Sequence, residues 1–185
     1  MKNKILNIVT IGGGGGHSQV LKALRDIKGI KITGVCPSTD SGGSTGILKN
    51  EYGAKGYLGD LTKCVAALCQ NLIISDTLIY RYDKGPLIGH SVKNILLLAL
   101  EKNAGHKMAL KTLWGLCSLD NHRVLPVSQQ EAQLCAILKI GNKITGETVI
   151  DTLAKNPLWH PNFHSIKNIY LKPNIMASSE VVKSI

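Results

Sequence analysis

The stretch ILNIVTIGGGGGHS, residues 5–18, is an apolar run that ends abruptly in five glycines. A short apolar run closed by a breaker cluster reads as a buried strand entering a tight loop. Ser18 then precedes Val20, Leu21, Leu24 and Ile27, a helical stripe closed by Gly29. Residues 30–36 read as a second strand, stopped by Pro37. Strand, glycine loop, helix and strand make a βαβ unit, which implies parallel pairing and a right-handed crossover. The fold class is therefore α/β.

Outward from this unit, a second glycine-rich loop follows at residues 40–46, then an irregular stretch through Gly53, Gly56 and Gly59. Asp60 is a suitable N-cap for a helix over residues 61–72. Residues 78–82 fit a short strand and a helix extension equally. Gly89, His90 and Ser91 open an apolar helix over residues 92–102, closed by Asn103 and Gly105, and residues 108–119 form another. Residues 123–128, 132–139, 143–150 and 165–172 read as strands. Gly141-Asn142 separates the middle two, which predicts a β-hairpin appended to the α/β core. Ser178 and Ser179 cap a final helix led by Glu180, Val181 and Val182.

At 185 residues the chain has the material for one domain with a proper core. Its hydrophobic fraction of 44% excludes disorder, and the scarcity of aromatics leaves the core to Leu, Ile, Val and Ala. A net charge of +10 calls for an anionic partner. The lysines and arginines are scattered singly, so a small phosphorylated ligand is expected and a nucleic acid is not. Five cysteines with no Cys-x-x-Cys read as buried reduced thiols, which places the protein in the cytoplasm. His160 and His164 have a ligand-like spacing but no cysteine or carboxylate cluster beside them, so zinc is not expected. Residues 1–11 do not make a signal peptide, and residues 95–100 are too few to span a membrane.

Thirteen of the nineteen glycines lie at or before Gly59. Ordering a glycine within an element costs about 0.5–1 kcal/mol, so their concentration after strands points to close backbone approach by a ligand. Gly13, Gly14, Gly15, Gly16 and His17 lead into a helix whose free N–H groups favour phosphate. Neither the dinucleotide fingerprint nor the Walker pattern is met, and tight turning is the competing account of this loop. Asp40 ends the second strand, where a carboxylate contacts a ribose hydroxyl or a metal, or closes an Asx-turn over Ser41 and Gly42. Gly43 and Ser44 continue this loop. Asp60 reads as a helix cap first and a ligand contact second. His90, with Ser91, stands at another helix start, where an imidazole can meet an anion or serve the fold. No Ser/His/Asp or Cys/His constellation can be assembled from spacing.

Taken in order, the segments IGGGGG (11–16), TDSGGSTG (39–46), GDL (59–61), GHSVKN (89–94), VLPV (124–127) and ITGETVI (144–150) resemble one family. It is the 2-phospho-L-lactate transferase (CofD)-like group, which includes the bacterial gluconeogenesis-factor (YvcK-like) proteins. The resemblance implies a Rossmann-like three-layer fold with a mostly parallel sheet and the ligand at the carboxyl ends of its strands. It adds Asn94 to the ligand-binding candidates. It implies one of two functions: a phospholactyl transfer from a guanosine-diphosphate carrier to a deazaflavin with a divalent metal, or regulatory binding of uridine-type nucleotide sugars in carbon metabolism and cell-wall synthesis.

The spelling of residues 40–46 and 59–60 is more similar to the second branch. Relative to the family pattern, Ser41 stands where a second carboxylate is usual, Lys93 where glycine is usual, and Thr62 where arginine is usual. With Asp40 as its one carboxylate candidate, a Mg2+ site of the transferase type is weakened. The family's later Gly-Pro-Gly-Ser-type motif is absent, so residues 1–185 resemble the N-terminal part of the family's fold. Nucleotide-sugar binding without turnover is the first expectation, a transferase the second, and a degenerate interaction module the third. An open sheet edge near the C-terminal segment is expected to be covered in a two-fold homodimer.

Overall fold

In the computed structural model, which describes residues 5–156, 158 and 160–185, the strands β1 (Leu6–Ile11), β2 (Ile30–Cys36) and β3 (Arg123–Pro126) form a parallel sheet in the order β1-β2-β3. Val9 stands opposite Thr33, and Val35 opposite Leu125. Side chains alternate across a strand, so Ile32 and Cys36 face one side of the sheet and Thr33 and Val35 the other.

The first side carries the main core. Helices α1 (Gly14–Arg25) and α3 (Leu58–Leu68) pack over it, with α5 (Val92–Leu116) against α3. Leu21, Ile32, Leu58, Leu61, Val65, Leu97, Leu113 and Val124 are buried together there. On the other side Val35 and Leu125 are covered by Val181 of the short helix α8 (Ser179–Val182). Helix, sheet and helix thus make the expected layers. Ser178 caps α8 by accepting the Val181 N–H, as its position predicts.

Four readings of local structure need correction. Helix α1 begins at Gly14, with Gly13 in the N-cap position, and not after Ser18; the Ser18 hydroxyl instead donates to the Gly15 carbonyl. Burial of His17, Ser18 and Leu21 outweighs the low helix propensity of the glycines. Residues 43–52, read as loop and irregular chain, form α2 (Gly43–Tyr52), anchored by buried Ser44, Thr45 and Leu48 and ended by Gly53 in the left-handed region. Asp60 is not the N-cap of α3, which starts at Leu58; and Asn71 breaks the helix read over 61–72 by capping α4 (Leu72–Ile79) with its side-chain oxygen. Residues 143–150 are not one strand: β5 (Lys143–Thr145) stops at Gly146, whose φ of 104° turns the chain into α6 (Glu147–Ala154).

The undecided residues 78–82 divide between the end of α4 and a bridge from Arg81 to Ser91. In α5, Gly105 adopts φ 73° and ψ 162°, which separates the two helices read from sequence on either side of it. Beyond β3, β4 (Gln133–Leu138) and β5 form the expected hairpin. After helix α7 (Pro161–His164), β6 (Ile166–Lys172) joins the far edge of β4, giving an antiparallel sheet ordered β5-β4-β6. Among the described residues no helix is long and apolar enough to cross a membrane.

Candidate functional site

Both glycine loops leave the carboxyl ends of adjacent parallel strands, β1 and β2, and so emerge at the same end of the sheet. Gly13 has no side chain with which to cap α1, and the cap comes from elsewhere: the Gly14 N–H donates to Asp60 Oδ1 at 2.9 Å. Gly14 has φ +63°, a conformation that favours glycine. A Cβ placed on Gly14, Gly15 or Gly16 would meet nothing within 4 Å, so this face of the loop is open. His17 is not on that open face. It is 7% exposed, with Nε2 bonded to Thr10 Oγ1 at 2.9 Å and Nδ1 facing Cys64 Sγ at 3.5 Å and Cys36 Sγ at 4.0 Å. The hydrogen bond with Cys64, with burial added, pushes the Cys36 thiol far above the ordinary thiol range.

In the second loop Asp40 Oδ1 accepts the Gly42 N–H at 2.9 Å, the Asx-turn that the sequence left open as one of its roles. Asp40 also lies against the start of α3: a Cβ on Gly59 would come within 2.5 Å of both Asp40 Oδ2 and Thr45 Oγ1. Gly42 caps α2 in an extended conformation, and a Cβ on Gly43 would meet nothing within 4 Å. Ser41 turns towards α6, where its hydroxyl lies 3.3 Å from Thr148 Oγ1.

Behind the loops runs a buried polar chain. Ser44 Oγ lies 3.1 Å from His90 Nδ1 and accepts from Asn94 Nδ2 at 3.2 Å. Asn94 Oδ1 in turn accepts from Thr62 Oγ1 at 2.9 Å and from Lys93 Nζ at 2.7 Å. Lys93 Nζ also donates to the Gly59 carbonyl and to Thr62 Oγ1, at 3.2 and 3.1 Å. Ser44 belongs to α2, Gly59 and Thr62 to α3, and Lys93 and Asn94 to α5, while Asp60 ties α3 to α1. The N-terminal turns of four helices are thereby fastened into one cluster. Each carries partial positive charge, so the cluster favours an anion.

Burial, followed by the charges of Lys63 and Arg81, pushes the Lys93 ammonium down to about 8, with Asp40 and Asp60 opposing. Burial, then Asp40 and Asp60, pushes the Glu147 carboxyl up, against the pull of a hydrogen bond from the Ser41 backbone. Beside the second loop is a cleft of about 180 Å³ lined by Thr39, Ser41, Lys49, Gln133 and Glu147.

A family model described as 2-phospho-L-lactate transferase CofD matches residues 8–185. The chain belongs to the CofD family. Its relatives that carry the name gluconeogenesis factor include one from Pasteurella multocida, 31% identical over 99% of this chain, and one from Thermotoga maritima, 35% identical over 78% of it. The chain spans about half the length of the curated relatives it matches, 56% of the first and 46% of the second. A crystal structure of a UPF0052-family protein from Bacillus halodurans superposes on 97% of this chain and 55% of its own, with a TM-score of 0.83 and 25% identity.

Within this CofD-family chain, the predicted residues fall into two groups. Gly13–Gly16, Asp40–Ser44, Asp60, His90 and Asn94 gather at the carboxyl ends of β1 and β2, whereas His17 lies in the interior beneath them. Sequence reasoning named Lys93 and Thr62 only as departures from the family pattern and did not single out Glu147, although each lies inside or beside a quoted motif and near this cluster. Their involvement depends on helix packing, which the motifs do not encode. Magnesium takes one or two protein carboxylates together with substrate phosphates, so Asp40 is the residue that would hold the Mg2+ of a transferase here. Asp40 spends one oxygen on its own loop and joins no group of three potential metal-ligating side chains among the described residues. His160 and His164 serve local structure, their Nδ1 atoms accepting the backbone N–H groups of Asn162 and His160.

Proposed function

We propose that this chain is a regulatory protein that binds a nucleotide sugar of the uridine type and does not turn it over. The observation that carries the reading is the fastening of the N-termini of α1, α2, α3 and α5 into one cluster beside the open glycine faces of Gly14–Gly16 and Gly43. A diphosphate needs backbone N–H donors, positive helix ends and room for close approach, and this end of the sheet offers all three. In this reading the glycine loops hold the diphosphate, and Asp40 contacts a ribose hydroxyl with its second oxygen.

One feature favours binding over turnover: Ser41 leaves Asp40 without the adjacent carboxylate of the family pattern, which weakens a magnesium site of the transferase type. The gluconeogenesis-factor name of the relatives supports a place in carbon metabolism, and control of cell-wall synthesis from the cytoplasm belongs to the same proposal.

Titration calorimetry and thermal shift with UDP-sugars, UDP, GDP and inorganic diphosphate test it. A UDP-sugar at one hundred times its dissociation constant should stabilise the fold by about 2.7 kcal/mol. The ligand should be recovered chemically unchanged by NMR. Equal affinity for GDP and UDP-sugars would remove the uridine assignment, and consumption of the ligand would replace binding by catalysis.

A further inference from the structure

Outside the proposed ligand site, three side chains from three elements converge in the core. His17 comes from α1, Cys36 from the last position of β2, and Cys64 from the middle of α3. Their exposures are 7%, 1% and 0%. His17 Nδ1 and the two sulfurs all lie within 4.8 Å of one another, with Nδ1 at 3.5 Å from Cys64 Sγ and 4.0 Å from Cys36 Sγ. Tetrahedral zinc with Zn–S near 2.3 Å and Zn–N near 2.0 Å sets neighbouring ligand atoms about 3.6 Å apart. The two nitrogen–sulfur distances already bracket that spacing, and the two sulfurs, within 4.8 Å of each other, would close by up to about 1 Å around an ion.

The surroundings are those of a metal-binding imidazole. Thr10 Oγ1 bonds the far nitrogen, Nε2, at 2.9 Å, which fixes the ring and leaves Nδ1 aimed at the sulfurs. Without an ion, two thiols converge on one imidazole nitrogen and on each other. Cys69 and Cys117 are also buried thiols and neighbours of each other, but they belong to no such group among the described residues.

We propose that His17, Cys36 and Cys64 form a binding site for a thiophilic divalent ion of the zinc type, which ties α1, β2 and α3 together beneath the first glycine loop. Binding replaces the two thiol protons, which leave to solvent, by one M2+. Two thiolates then balance the ion, and the buried unit is neutral. Three protein ligands leave the fourth position to water or hydroxide.

The test uses the reduced full chain, stripped by a chelator and given one equivalent of Zn2+. One equivalent should persist through gel filtration. X-ray absorption fine structure should show two sulfurs at about 2.3 Å and a nitrogen shell at about 2.0 Å. Failure to retain zinc, a four-sulfur shell, or a shell of nitrogen and oxygen alone would overturn the site. With Co2+ the wild type should give a thiolate-to-cobalt charge-transfer band that Cys64→Ser removes and Cys69→Ser keeps; the reverse pattern would move the ion to the other thiol pair. If Cys64→Ser does not fold, the fine structure of the wild type decides alone.

Discussion

The Asp60 carboxylate accepts the backbone N–H of Gly14 at 2.9 Å, so a residue in the first turn of α3 caps α1 across 46 positions of sequence. A charged acceptor on a helix-terminal N–H contributes about 1.5–3 kcal/mol. Asp60→Ala should therefore lower stability by about that amount, read as a shift in the urea midpoint at constant slope. A loss below about 0.5 kcal/mol would show that the bond does not hold the two helices.

The glycines differ in what they do, and alanine separates them. A Cβ on Gly56 would sit 2.5 Å from the Ser38 carbonyl oxygen, a backbone atom that cannot swing aside. Gly56→Ala should cost about 2–3 kcal/mol by overpacking. Gly15→Ala meets open space inside a helix and should be neutral or stabilising by up to about 1 kcal/mol. Thermal denaturation of the pair checks the order, and equal losses would refute it.

Gly15 also isolates binding from folding. Gly14→Val would confound the two, because its φ of +63° strains any branched side chain. Gly15→Val should leave stability within about 0.5 kcal/mol of wild type and weaken a UDP-sugar at least about tenfold by blocking phosphate approach. Calorimetry showing unchanged affinity in the folded variant would reduce these glycines to the first turn of α1 with no part in binding.

What the sequence made legible was whatever local patterning controls. Residues 5–11 and 30–36 are apolar runs bounded by glycine and proline, and they are β1 and β2 in parallel pairing. Gly141-Asn142 announced the hairpin, and Gly105 the break in α5. Helix α2 was hidden because its ten residues include two glycines, a serine and a threonine, and only Leu48 among its apolar side chains is buried. Contacts distant in sequence were out of reach. His17 meets Cys36 and Cys64 at separations of 19 and 47 positions, which no spacing motif describes. Lys93 likewise reads only as a departure from the family's usual glycine until packing places it beside Gly59 and Asn94.

Lys93 supplies the pH dependence. It is 5% exposed, its three ammonium donors bond Gly59, Thr62 and Asn94, and burial brings its pKa down from 10.5 to about 8. The unfolded chain therefore holds this proton more tightly than the folded one. Below about pH 8 both states are protonated and the full penalty of the buried charge is present. Between about 8 and 10.5 the unfolded state binds more protons, so this residue's contribution makes stability rise with pH, by on the order of 3 kcal/mol in total. Exposed thiols in the unfolded chain act in the opposite direction over the same range, so the wild-type curve alone does not isolate the lysine. Lys93→Met does. Its urea stability, measured from pH 7 to 10, should fall relative to wild type as pH rises, because wild type gains what the variant cannot. Losing the ammonium above pH 8 also removes a cation close to Asp40 and Asp60, so anion affinity in wild type should decline there and that of the variant should not. Parallel stability curves for the two proteins would mean that Lys93 titrates as an ordinary surface lysine, and that its burial at the helix cluster is not retained in solution.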